Sequence, residues 1–177
     1  MNSTLSPKSR VQVRRMREQD VPGILPLQIA IYPGTLHERA EFFLNRQALS
    51  PQTCWVAQEG DGGLLGYLIA YPWHDGLPPE LDLTLPCLPE PATCWFLHDC
   101  AVHPRAQGGG IGRQLYDTAA VHAYEQGLRQ ARLVALAQAA SYWRRLGYTD
   151  LPAPPKGLAA KLSGYGEGAC YLGRELG

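Results

Sequence analysis

The run Gln107-Gly108-Gly109-Gly110-Ile111-Gly112 constrains this chain more than any other segment. Four of its six residues are glycine, and it joins an apolar run, CWFLHDCAV (94–102), to a helix-like run that opens IGRQLYDTAA. Glycine loses more conformational freedom on folding than any other residue. Four of them at a strand-to-helix junction exceed what a tight turn requires. Such a junction suits a backbone that must approach a ligand closely. The first N–H groups of a helix have no partner inside it, and the helix dipole favours negative charge there.

The rest of the sequence bounds what that ligand serves. With 177 residues, 45% hydrophobic and 18% charged, the chain is sized for one globular domain, expected over residues 11–177 behind a loose tail at 1–10. Sixteen basic and sixteen acidic residues cancel, which argues against nucleic acid as a partner. No run of about 18 apolar residues occurs, so no membrane span is expected. The opening MNSTLSPKSR lacks the apolar core of a signal peptide. Five cysteines without a CxxC suit reduced thiols and a cytoplasmic setting. Cys87, Cys94, His98 and His103 match no common metal-ligand spacing, so no metal is expected.

Periodicity orders the elements. VQVRRM (11–16) alternates as a strand does. Asp20 and Pro22 open a helix in which Pro26 predicts a bend or an early end. Thr35 and Glu38 have capping-box spacing for a second helix running toward Ala48. TCWVAQE (53–59) and LLGYLIAY (64–71) flank GDGG as a hairpin. Residues 72–93 hold six of the fifteen prolines and read as a long loop. A central strand (94–102), the glycine loop, a helix ending near Gly127, a strand (131–137), a short helix (141–148) and a last strand (168–176) follow. The order β α α β β β α β α β predicts an α/β domain with a mixed sheet.

Spacing sorts the anion-binding patterns. A P-loop needs a lysine after its last glycine, and here Gly112 is followed by Arg113. A dinucleotide fingerprint needs a third glycine where Arg113 stands, so a Rossmann-type binder fits poorly. The pattern [RQ]xxGx[GA], after a strand ending V-x-P, fits throughout as Gln107 to Gly112 behind Val102-His103-Pro104. In this loop, in its element order and in the late SYWRRLGY, the chain resembles the GCN5-related N-acetyltransferases. The resemblance implies a mixed, mostly antiparallel central sheet, flanked by helices on both faces and splayed at the cofactor site.

It also implies acetyl-CoA as the acyl donor, with no metal. Carried over, the backbone of Gln107, Gly108, Gly109, Gly110, Ile111, Gly112 and Arg113 meets the pyrophosphate. The strand end at Cys100, Ala101 and Val102 pairs with the pantetheine arm, and Gln138 and Ser141 touch CoA. His98 falls where several members carry a carboxylate base, and it is expected as base or water-positioner. Asp99 is expected on the opposite strand face by simple alternation. The family's usual tyrosine acid falls at Trp143, whose indole offers only an N–H. The acid is then either the adjacent Tyr142 or absent, with Trp143 packing on the CoA arm.

The expected reaction is acetyl transfer to a small-molecule primary amine, by direct attack in a ternary complex. The acceptor is expected between the first two helices and the 72–93 loop, with Trp73 and His74 at the rim. Asp75, Glu80, Asp82 and Glu90 stand on that loop, either as attractors of a cationic amine or as solvated loop residues. The alternative is a non-catalytic acyl-CoA sensor of the same fold. Dimers are common in the family, so a homodimer is compatible with this reading.

Overall fold

The computed structural model describes residues 10–60 and 62–177. The tail expected over 1–10 lies outside the described residues except for Arg10. Seven strands form one sheet in the order β1-β2-β3-β4-β5-β7-β6. They are β1 (Val11–Arg15), β2 (Trp55–Glu59), β3 (Leu64–Trp73), β4 (Cys94–Val102), β5 (Gln130–Ala135), β6 (Thr149–Asp150) and β7 (Cys170–Glu175). Every neighbouring pair is antiparallel except β4 and β5. The helices are α1 (Val21–Ile31), α2 (Ala40–Leu49), α3 (Ile111–Glu125), α4 (Ala140–Arg145) and α5 (Leu158–Leu162). The order is the expected one, with β6 and α5 added between α4 and the last strand.

Strand alternation divides the core between the two faces of the sheet. Leu68, Ala70, Trp95 and Leu97 pack with Ile111, Leu115, Ala119 and Ala123 of α3. Tyr67, Ile69, Tyr71 and Phe96 pack with Ile24 and Leu27 of α1 and Phe42 and Phe43 of α2. The small residues of α3 let it lie close to the sheet, and Gly127 closes it at φ +91°.

Three local expectations differ. α1 runs through Pro26 to Ile31. The bond that proline forfeits would have reached Pro22, in the first turn. Asp20 precedes α1 without capping it, because its carboxylate is taken by Arg14 and by the Arg17 N–H. The Thr35–Glu38 capping box does not form: Thr35 lies in a 3-10 turn, and α2 starts at Ala40 behind Arg39. Gln28 explains the change. Its buried amide donates to the Glu38 carbonyl at 2.7 Å and accepts from the Glu38 N–H at 2.8 Å. The backbone of Glu38 is satisfied as in a sheet ladder, and its side chain is free to turn inward.

The long segment between β3 and β4 has neither helix nor strand, yet it is pinned. Asn45 bonds both backbone groups of Leu85, Arg39 pairs with Asp82, and the Tyr165 hydroxyl donates to the Pro79 carbonyl at 2.6 Å.

Candidate active site

The parallel contact between β4 and β5 covers only Trp95–Leu97 against Ala131–Leu133. β4 continues to Val102 paired with β3 alone. The two strands therefore part after Leu97, and one edge of β4 from His98 onward loses its ladder. Unpaired backbone inside a fold needs a partner. A cavity of about 730 Å³ occupies the cleft, a size that suits an extended ligand.

The glycine loop closes one end of this cavity. Gly110 stands immediately before α3 at φ +81°, and Gly108 adopts φ +82°. A residue with a Cβ enters this left-handed region only at a cost, so glycine is required there. The turn aims the first N–H groups of α3 at the cleft. Gln107, Gly108, Gly110, Ile111, Gly112 and Arg113 line the cavity; Gly109 does not. The Gln107 amide donates to the Val102 carbonyl at 3.2 Å, tying loop to strand end, and Arg113 is held by Asp117 at 2.8 Å. These features fit a pyrophosphate at the loop and an amide-bearing arm along β4. Cys100, Ala101 and Val102 lie on that edge and line the cavity. Burial pushes the Cys100 thiol up to about 12, which leaves it uncharged and poorly nucleophilic at neutral pH. Gln138 lines the cavity as well, whereas Ser141 is exposed and outside its lining.

The two candidates for the acid have different environments. Trp143 is 8% exposed and packs edge-on to Tyr148 with Tyr116 alongside. Tyr142 is 37% exposed, and its hydroxyl lies 3.8 Å from where a side chain on Gly112 would begin. Burial and then the neighbouring Cys100 hold its phenol above the ordinary value, so it keeps its proton.

The opposite end is built around an irregularity in β4. The register against β3 passes from Leu97↔Ala70 directly to Asp99↔Ile69, leaving His98 as the extra residue of a bulge. A bulge breaks alternation and re-aims side chains. His98 packs on Phe42 and Tyr71, while Asp99 meets Tyr32 and Tyr67. Both residues thus lie on the face of α1 and α2. This corrects the expectation that Asp99 sits on the opposite face.

His98 is 1% exposed at its side chain and uses both ring nitrogens. Nε2 lies 2.8 and 3.0 Å from the two Glu38 carboxylate oxygens, and Nδ1 lies 2.8 Å from the Tyr71 hydroxyl. An ionised carboxylate can only accept, so Nε2 donates to Glu38, and Nδ1 pairs with the Tyr71 hydroxyl. Arg46 stacks over the rings of Phe42 and Tyr71 and stands outside the cavity lining. Asp99 accepts from Tyr32 and Tyr67, each at 2.6 Å. Its burial outweighs those two donors and, with Glu38 nearby, lifts its carboxyl to about 6. Glu38, His98 and Asp99 all line the cavity.

α1 and the long loop contribute Ile31, Tyr32 and Leu81 to this end. Trp73 and His74, expected at the rim, instead stack on each other outside the lining. The loop acids also serve elsewhere: Asp82 holds Arg39 and Glu80 holds Lys161. Leu36 and Tyr165 line the cavity without any sequence signal having marked them. Among the described residues no cluster of three metal-binding side chains occurs, and no helix is long and apolar enough to cross a membrane.

The sequence matches the family model described as the acetyltransferase (GNAT) family over residues 22–148, and the chain belongs to that family. No curated protein matches it. Its fold is similar to the loading GNATL domain of CurA from Lyngbya majuscula, with a TM-score of 0.75 and 12% identity over 94% of this chain and 98% of that one. It is also similar to a GNAT family acetyltransferase from Brucella melitensis in complex with acetyl-CoA: TM-score 0.61, 20% identity, 96% and 90% coverage. A third similar structure is Naa20 from Chaetomium thermophilum in complex with a bisubstrate analogue: TM-score 0.67, 21% identity, 93% and 86% coverage.

Proposed function

We propose that the protein is an acyl-CoA-dependent N-acyltransferase that moves acetyl from acetyl-CoA to the nitrogen of a small-molecule primary amine. The observation that carries this reading is the parting of β4 from β5 after Leu97, with the α3 N-terminus at one end and a buried carboxylate pair at the other. Acetyl-CoA supplies a thioester carbonyl; the chain supplies position and proton transfer.

An alkyl ammonium titrates near 10.4, so nearly all of the amine arrives protonated at neutral pH. Glu38 takes that proton, with His98 fixing its carboxylate and Tyr71 fixing the imidazole. The neutral amine attacks the thioester carbon: a C–N bond forms as the C–S bond breaks, and the nitrogen passes its second proton to solvent. The Tyr142 hydroxyl gives its proton to the departing sulfur and is reprotonated from solvent. His98 is in this reading a positioning residue behind Glu38. The free thiols suit a reducing compartment, and we place the protein in the cytoplasm.

A thermal-shift comparison of CoA with NAD, followed by thiol release from acetyl-CoA over an amine library, tests the proposal. CoA alone is expected to raise Tm, and at least one amine to release thiol. Stabilisation by CoA with no turnover of any amine would make the chain a sensor. Stabilisation by NAD alone would remove the proposal altogether.

A further inference from the structure

The acceptor end of the cavity has a lopsided chemistry. It presents two carboxylates, Glu38, almost fully buried, and Asp99, partly buried. Among the described residues, neither lysine nor arginine lines this end, and Arg113, the one such residue in the lining, belongs to the glycine loop. Arg46 is buried against the Phe42 and Tyr71 faces and outside the lining; its Nη1 donates to Asn45, while Nε and Nη2 have no partner among the described residues.

Both carboxylates keep unused acceptor capacity. Asp99 accepts one hydroxyl on each oxygen, and Glu38 accepts from His98 and the Asp82 N–H. Each carboxylate oxygen offers two lone pairs. A buried carboxylate with no lysine or arginine partner lacks a permanent cation to offset its lost hydration. The other walls here, Ile31, Leu36 and Leu81, are apolar, with Tyr32 and Tyr165 beside them.

Resting on the transfer reading above, we infer that the acceptor is a primary amine with an apolar body and no carboxylate of its own. Its ammonium sits between Glu38 and Asp99, and its body lies against Ile31, Leu36 and Leu81. An amino acid would bring an anion to a site with two carboxylates and no guanidinium. A polyamine would place its further ammonium groups against aliphatic walls that offer no acceptor. Both are disfavoured by desolvation without compensation.

Calorimetric titration of the CoA-saturated protein tests this directly, with 2-phenylethylamine, L-phenylalanine and spermidine as probes. The first two share a ring and differ in the carboxylate. 2-Phenylethylamine is expected to bind at least tenfold more tightly than either of the others. Asp99→Asn is expected to erase most of that preference. Should Asp99→Asn fail to fold, Leu81→Arg, on the pinned loop, keeps the test open: it is expected to raise L-phenylalanine affinity relative to the amine. Equal or tighter binding of L-phenylalanine or spermidine by the unmodified protein, or binding of none of the three, overturns the inference. An amine that binds as expected and is never acetylated would instead overturn the transfer reading and leave this one standing.

Discussion

Glu38 and His98, sixty residues apart in sequence, meet at 2.8 Å in the cavity wall. The contact joins the extended segment before α2 to the bulge of β4, and it orders the imidazole rather than exposing it. Replacing the base should therefore cost more than replacing its support. Glu38→Gln is expected to lower kcat by about 100-fold or more, the scale of general base catalysis. His98→Gln, whose amide can still donate to Glu38, should retain more activity than His98→Ala. Steady-state kinetics across pH 6 to 9 check this, with KM for acetyl-CoA little changed in all three. Full kcat/KM in His98→Ala across that range would remove any role for the ring.

Tyr142 and Trp143, adjacent in sequence, have different environments, and the proposed mechanism uses only the first as a proton donor. Tyr142→Phe is expected to lower kcat about tenfold or more near neutral pH while CoA affinity holds. Trp143→Ala removes a buried indole and should cost about 3–5 kcal/mol of stability. Urea denaturation alongside kinetics separates the two effects. A Tyr142→Phe enzyme with wild-type kcat would show that the thiolate leaves unaided.

The glycines of the loop should not be equivalent. Gly110→Ala forces a Cβ into φ +81° at the start of α3, at a cost of about 1–2 kcal/mol. The anion site either distorts or forms less often, and CoA affinity should fall about tenfold. Gly109 has no positive φ, and its added Cβ would meet only the Ala106 carbonyl at 3.4 Å. Gly109→Ala should bind CoA within about threefold of wild type. Isothermal titration of both variants with CoA is the check.

Asp99 gives a pH signature. Its carboxyl is raised to about 6 in the folded protein, from an ordinary 3.8, so the folded state holds that proton more tightly than the unfolded one. Stability from this group is greatest below about pH 4 and is lost as pH climbs to about 6. The Tm of Asp99→Asn relative to wild type should therefore rise between pH 4 and pH 7. A Tm difference that stays flat over that interval would contradict the burial argument.

The glycine loop and the strand end before it are legible in the sequence because backbone makes them. Glycine spacing, a strand end and a helix start are local, and residues 102–113 carry them in one run. The acceptor half depends on contacts that no local pattern encodes. Glu38 had the spacing of a capping box, and only the buried amide of Gln28 turns it inward. Simple alternation puts Asp99 on the wrong face because it assumes an unbroken strand, and the bulge at His98 depends on the register with β3. β6 and α5, two and five residues long, are too short for a period to show in the sequence. Tyr165 arrives from the turn after α5, so its place in the cavity could not precede that of α5.

The most direct test of the account follows both products of one reaction. Acetyl-CoA and 2-phenylethylamine are incubated with the protein, and free thiol and N-acetylated amine are quantified together. Equal amounts of the two are expected from the unmodified chain, reduced about 100-fold or more in Glu38→Gln. Thiol without amide, or neither product from any amine while CoA binds, would contradict the transfer reading.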